Sequence, residues 1–410
     1  MKAPGPAVKG PSAIFWRGMG EDRAVGTPVL RRLNTAAVLR AVRERAPDPL
    51  RLAELVELTG LTRPTVGQAV DDLVEAGWLQ QHDPATASRH GGRPAVRVSL
   101  RGRAAPVLGL DVGPHTVSAG VGDLAGRRLA SVRRPVGRSE VGHLLRAVDE
   151  VVARALQEAD LGADEIAGVV VATPGIVDPG AGRVLLAPSV PGWTSVDLSG
   201  HLRDRFHCPV QVENDANLAA LAVAGERGTL LAVQWGERLG AGVVIDGRLH
   251  RGSGAAGEIG FIRPPGRVPE TGDGRGPLER TIGAEAIAAR ARRAARRHPE
   301  SALREGEPDA AAVFAAAAAG DAVARRIVDA VAATFAQAIA PAVLVLDPGT
   351  VVIGGGVARA GSVLLGAITR HLAELTLTPP AVEFSGLAED TVLTGALHLA
   401  LDEVWRRLTV

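Results

Sequence analysis

At Val107 the hydrophobic pattern of this 410-residue chain changes period. Upstream, apolar residues recur at three- and four-residue spacing, as in short amphipathic helices. From Val107 onward, short apolar runs alternate with helix-length stretches, and such a pattern is buried in α/β layers. Strand candidates are Val107–Val112, Val117–Val121, Ile166–Ala172, Val210–Val212, Leu230–Gln234, Ala241–Ile245, and Val343–Leu346 with Val351–Ile353. Helix candidates lie at 140–158, 216–227, 283–297, 309–340, 357–375 and 390–408. A Gly-containing turn follows a strand twice, at Asp111-Val112-Gly113 and at Gly236–Gly242, a faint sign of two related halves.

The first quarter reads differently. Residues 1–26 mix Pro, Gly and scattered charge without periodicity and read as a mobile tail. Thr27-Pro28 has the form of a helix start, and the helix is expected to run to Arg45 with Val29, Leu33, Val38, Leu39 and Val42 as its stripe. A second helix is expected near Arg51–Leu58, with Leu52, Leu55 and Leu58 on one face, before a tight turn at Thr59-Gly60-Leu61. Thr62 caps a third, Arg63–Ala76, with Val66, Val70 and Leu73 buried. Two short strands, Trp78–Gln81 and Ala95–Leu100, flank a Gly-containing loop.

Helix, turn, helix and two-stranded wing make a winged helix-turn-helix over residues 27–103, leaving 104–410 as the α/β body. The third helix would enter the major groove and present Arg63, Thr65, Gln68 and Ala69, while Gly67 allows close approach. Arginine pairs with guanine, glutamine with adenine, and threonine touches a thymine methyl or a phosphate. Arg93, in the wing segment Gly92-Arg93-Pro94, would reach a narrow minor groove. A small helical protein-interaction module and a merely solvated loop are the plainer readings of these two features.

Charge agrees with the DNA reading, though chance clustering of Arg in an Arg-rich chain is the plainer account of it. Residues 1–103 carry 16 Lys and Arg against 10 Asp and Glu, and the remainder carries 30 against 35. A basic front on an acidic body suits a polyanionic partner. The single cysteine, Cys208, rules out an internal disulfide and a cysteine-based zinc site. No apolar run of about 18 residues and no signal-type leader is found, so no membrane partner is expected and the cytoplasm is the expected location.

Several segments of the body resemble the ROK family of repressors and sugar kinases: Thr173–Asp178, Glu213-Asn214-Asp215-Ala216-Asn217, Gly257-Glu258-Ile259-Gly260 and Ile353–Val357. Leu30–Asn34 and Thr62–Val66 resemble the front end of the family's repressors. The resemblance implies a two-lobed actin-like ATPase (sugar kinase) fold behind the winged helix, and a dimer or tetramer formed through the body. It also implies that Asn214, Asp215, Glu258 and Glu279 contact a sugar, with Asp215 at the position of the kinases' general base. Independently of any family, short polar side chains on a rigid strand-to-helix turn suit sugar hydroxyls.

The departures from the family pattern bear on chemistry. Phe261 stands where members commonly carry a histidine that contacts sugar and ligates zinc, and Glu270–Glu279 lacks the usual cysteines. No zinc or other cofactor is therefore expected. Pro114 removes a backbone donor from the first phosphate loop, and Glu237 places a carboxylate in the second, where it would repel a triphosphate. The reading is a repressor-type regulator without kinase activity. It binds an inverted-repeat operator in double-stranded DNA and responds to a sugar or sugar derivative. A body serving only as a dimerisation scaffold, and a residual sugar kinase, are the alternatives.

Overall fold

The computed structural model describes residues 27–82, 96–137, 140–266, 268, 272–304, 306–387 and 390–409. The first unit holds α1 (Thr27–Arg45), β1 (Leu50–Arg51), α2 (Leu52–Thr59), α3 (Arg63–Glu75), β2 (Leu79–His82) and β3 (Arg97–Leu100). The sequence patterns give the three helices to within one or two residues of these bounds. The two-residue β1 is too short to leave a pattern, yet it completes a three-stranded sheet in the order β1-β3-β2. Val38, Leu39 and Val42 of α1 are buried, whereas Leu33 is 53% exposed, so the expected stripe covers only the second half of that helix. On α2 only Leu55 is buried, and Leu58 lies open.

The body has two lobes of one topology. The first sheet contains β4 (Val107–Val112), β5 (Thr116–Gly122), β6 (Arg128–Pro135), β7 (Gly168–Thr173) and β10 (Val210–Asn214), in the order β6-β5-β4-β7-β10. The hairpin of β8 (Ile176–Val177) and β9 (Val184–Leu186) precedes α5 (Leu198–Arg203). The second sheet contains β11 (Leu230–Trp235), β12 (Leu239–Ile245), β13 (Arg248–His250), β14 (Thr350–Gly354) and β15 (Ala381–Phe384), in the order β13-β12-β11-β14-β15. In each, an antiparallel meander is extended by two parallel strands. The faint repeat in the sequence is therefore a duplicated architecture.

The helix after each fifth strand packs on the other lobe. α6 (Asp215–Ala224) leaves the first sheet and lies on β11 and β12, while α12 (Thr391–Thr409) leaves the second and lies on β4 and β7. The two helices also pack on each other. They approach so closely at Gly395 that a Cβ there would stand 1.8 Å from the Leu218 carbonyl oxygen. Any side chain would force them apart.

The outer helices are α4 (Val141–Ala159) on β5 and β6, and around the second lobe α7 (Glu279–Ile282), α8 (Ala284–Arg297), α9 (Ala310–Ala318), α10 (Ala322–Leu346) and α11 (Ser362–Leu375). Two expectations need correction here. Val343–Leu346 is the end of α10, not a strand, and the expected helix 309–340 is two helices, broken at Gly320-Asp321 where Asp321 caps α10. α10 has the length and composition to cross a membrane, but half of that stretch is buried, and Val331, Phe335 and Ile339 lie in the second lobe's core.

The winged unit is joined to the body by one continuous core. Val38, Leu39, Val42, Val98 and Leu100 are contiguous with Val107, Leu397, Ala400, Val404 and Trp405.

Candidate functional site

On α3, Thr62 caps the helix by accepting from the Thr65 amide at 3.4 Å, and the two threonine hydroxyls lie 2.8 Å apart. This leaves Arg63 and Gln68 exposed and Thr65 half-buried on the outer face. Ala69, expected on that face, is instead buried at 3% exposure, because it belongs to the Val66, Val70 and Leu73 stripe. Gln68 donates to Asp72 at 3.0 Å, and Arg31 of α1 holds the same carboxylate at 2.7 Å. The Arg31 hydrogen bond keeps the Asp72 carboxyl below its ordinary range. This buttress between α1 and α3 carries no sequence signal, because 41 residues separate its ends. Arg93 lies outside the described residues.

The second site forms where β10 turns into α6. Asn214 is the N-cap of α6: its side-chain oxygen accepts from the Asn217 amide at 3.0 Å, and its Nδ2 donates to the Gly175 carbonyl at 2.9 Å. Asp215 follows as the first helical residue and accepts from the Ala216 amide at 2.8 Å. Burial pushes the Asp215 carboxyl up to about 6, against the pull of those backbone hydrogen bonds. Burial also pushes Glu258 up to about 7, helped by the charges of Asp215 and Glu279. Asp111 at the end of β4 is pushed up to about 7 by burial and by Asp215, with Arg133 opposing. The charge of Asp215 thus acts on both Asp111 and Glu258, which places the three carboxyls in one buried acidic group.

Glu279 behaves differently. It is 5% exposed, its Oε1 accepts from the Leu239 amide at 2.8 Å, and its Oε2 accepts from the Gly276 amide at 2.7 Å. It therefore fastens the 272–279 loop to β12 as well as standing beside Glu258. Three guanidinium groups also bind this loop: Arg238 donates to the Gly274 carbonyl at 2.7 Å, Arg275 pairs with Glu237, and Arg280 donates to the Arg275 carbonyl. Among the described residues no three His, Cys, Asp or Glu side chains come together as zinc ligands would, and the carboxylates of Glu279 and Glu237 are engaged by backbone amides and by Arg275. Phe261 is 50% exposed beside this loop.

A cleft of about 600 Å³ is lined by Glu237, Arg275, Glu285, Asp309, Phe314 and Arg359 among others. The Glu237 carboxylate, expected to repel a triphosphate, is paired with Arg275. The first glycine amide of each turn is used in hairpin closure, Gly113 to the Thr116 carbonyl at 2.9 Å and Gly236 to the Arg238 carbonyl at 3.0 Å. Pro114 has no amide hydrogen to offer.

The sequence profile of the ROK family matches residues 107–403, and that of the IclR helix-turn-helix domain matches residues 33–83. The chain is 33% identical over 278 residues to a glucokinase from Halalkalibacterium halodurans, covering 64% of this chain and 84% of that one. It is 26% identical over 359 residues to the DNA-binding transcriptional dual regulator NagC of Escherichia coli K12, covering 85% of this chain and 86% of the relative. A crystal structure of a ROK family transcriptional regulator, a homologue of E. coli Mlc, superposes with a TM-score of 0.75 at 21% identity over 93% of this chain and 98% of its own. Its likeness establishes the fold, a helix-turn-helix unit ahead of an actin-like kinase body. The chain belongs to the ROK family and carries an IclR-type helix-turn-helix domain before the family's kinase-like body.

Proposed function

We propose that this protein is a DNA-binding transcriptional regulator of the repressor type whose affinity for its operator is set by a sugar or sugar derivative. The observation that carries the reading is a continuous mechanical path. Asn214 and Asp215 open α6, α6 packs on α12 at Leu218 and Gly395, α12 docks on α1 through Trp405, and α1 buttresses α3 through Arg31 and Asp72. A sugar hydroxyl bound by Asp215 and Glu258 would bear on one end of that path, and Arg63, Thr65 and Gln68 would meet base edges at the other. One recognition helix and one wing read a half-site, so the operator is an inverted repeat bound by a dimer or tetramer. Arg93 would add minor-groove contact at each half-site.

The kinase-like body is read as catalytically silent, with Asp215 a vestigial base. Pro114, which offers no amide hydrogen, and Arg275, whose guanidinium is engaged by Glu237, support this, since phosphoryl transfer depends on cradling and neutralising the phosphates. The family also contains glucokinases, so the assay is direct: ATP turnover over a panel of hexoses. Selection of bound fragments from genomic DNA tests the regulator reading, and enrichment of an inverted repeat is the expected outcome. A second reading, in which the body is only a dimerisation scaffold, is favoured by Phe261, which supplies no polar contact where relatives have histidine. Thermal-shift screening with pentoses, hexoses and amino sugars, free and phosphorylated, separates the two, because a ligand for the folded state raises its melting temperature.

A further inference from the structure

Arg251 follows β13 in the second lobe, and its Nε donates to Glu213 of β10 in the first lobe at 2.5 Å. Glu213 is 4% exposed. Its other oxygen accepts from the Asn214 amide at 3.0 Å and from the Asn217 side chain at 2.9 Å. One buried carboxylate therefore holds the backbone of the cap residue and the first turn of α6, and a single guanidinium from the opposite lobe meets its charge. The backbone of Arg251 is committed as well. Its carbonyl accepts from the Gly254 and Ala256 amides at 2.9 and 3.4 Å, which folds the loop that ends in Glu258. That loop touches the first lobe a second time at Gly254 (φ +107), where a Cβ would stand 2.7 Å from the Val177 carbonyl oxygen.

We propose that Arg251 is a positioning residue that sets the Asn214-Asp215 turn and the Glu258 loop at a fixed separation across the lobes, by joining both to Glu213. For its functional meaning this rests on the reading of Asn214, Asp215 and Glu258 as a sugar site. Neither group is free to leave. Removing the guanidinium strands a buried carboxylate, and breaking a buried pair in this way costs far more than removing both charges together. Arg251 belongs to neither ligand-contacting segment, but its side chain reaches one and its carbonyl shapes the other. A ligand bridging the two therefore meets a preformed gap, which lowers the ordering cost of binding.

The test is amide hydrogen exchange on the full chain, comparing the wild type with Arg251→Gln, Glu213→Gln, the double variant and Arg251→Lys. The expected result is exchange at least tenfold faster in both 213–218 and 252–259 for each single Gln variant, with α3 unchanged. The double variant should be no looser than the looser single. Arg251→Lys keeps the charge but not the guanidinium geometry, and should loosen both segments less than Arg251→Gln. Loosening in only one segment, or effects that add in the double variant, would overturn the proposal. If Arg251→Gln unfolds the protein, Arg251→Lys and Glu213→Gln decide it by the same two-segment criterion. The sugar panel runs on the same variants. A wild type that answers to no sugar removes the sugar reading, while the exchange data still judge the strut. Where the wild type does bind a sugar, Arg251→Gln should raise its Kd tenfold or more, and an unchanged Kd contradicts the proposal.

Discussion

The guanidinium of Arg43, near the end of α1, stands 4.9 Å from the centre of the Trp405 ring on α12. It also donates to Asp402 at 2.7 Å, one turn earlier on the same helix. Trp405 is 1% exposed, so the winged unit rests on a buried aromatic of the body and is not merely tethered to it. The ion pair is exposed on both sides and contributes about 0–1 kcal/mol, while the cation–π contact adds about 0.5–1 kcal/mol. Arg43→Ala should therefore leave the fold and the basal DNA affinity nearly intact and reduce the change that an effector produces. Coupling between such sites is typically about 1–3 kcal/mol, so its loss is visible in operator titrations with and without ligand. Equal effector responses in wild type and variant would show that coupling runs elsewhere.

Recognition should divide between two kinds of residue. Gln68→Ala should relax preference at one base position by about 1–3 kcal/mol per half-site, and Arg63→Ala should do so at another. Arg93→Ala should weaken binding to A·T-flanked sites more than to G·C-flanked ones. Asp72→Ala touches no base but removes the shared anchor of Arg31 and Gln68, so it should lower affinity for all sequences alike. Binding to a randomised operator library distinguishes these patterns.

The carboxylate group between the lobes carries a pH signature. Glu258 and Asp215 titrate higher in the folded chain than when unfolded, near 7 and 6. A raised acid favours folding while it is protonated, and that advantage is lost as pH rises from the unfolded value through the folded one. Stability of the ligand-free protein should therefore decline between about pH 4.5 and 7 from this source and level off above. Glu258→Gln should raise the melting temperature by about 1 °C at pH 8, an effect on the order of 1 kcal/mol after allowing for solvent screening in a chain of this length, and by much less at pH 5. Sugar hydroxyls donating to ionised carboxylates should bind more tightly as pH rises through the same range. Melting curves from pH 5 to 8 check both signs.

The phosphate side should be silent. Glu237 is neutralised by Arg275, so Glu237→Thr alone frees a guanidinium without restoring the donor that Pro114 lacks. Neither the wild type nor this variant should show hexose-dependent ATP turnover. Turnover that is abolished by Asp215→Asn would overturn the assignment of a silent body.

Much of this was legible in the sequence, for local reasons. The cap at Thr62, the stripe of α3, the apolar β4 and the Asn214-Asp215 turn are each specified within a few residues. Val343–Leu346 shows where such reasoning fails: four consecutive apolar residues suit a strand or a helix end, and Leu344 and Val345 prove to be 56% and 84% exposed at the end of α10. The residues that complete the site were hidden. Arg251 and Arg275 each find a carboxylate 38 residues away, the first across the lobes and the second between two loops of one lobe, pairings that only the tertiary fold brings together. Glu213 left a weak mark, a charge closing an apolar strand, and its burial makes it the centre of the turn. The close packing of α6 and α12 left only Gly395, one of 50 glycines.

The central claim is that one molecule joins a sugar-binding turn to a DNA-reading helix. The measurement that tests it most directly is the operator affinity of the full chain with and without each sugar of the panel, for the wild type and Asp215→Ala, on DNA selected by the wild-type protein. The account predicts that at least one sugar shifts the wild-type Kd by about five- to 150-fold, as expected for coupling of 1–3 kcal/mol, and that Asp215→Ala binds the operator but ignores the sugar. Operator binding that no sugar alters, or a response that survives Asp215→Ala unchanged, would contradict it.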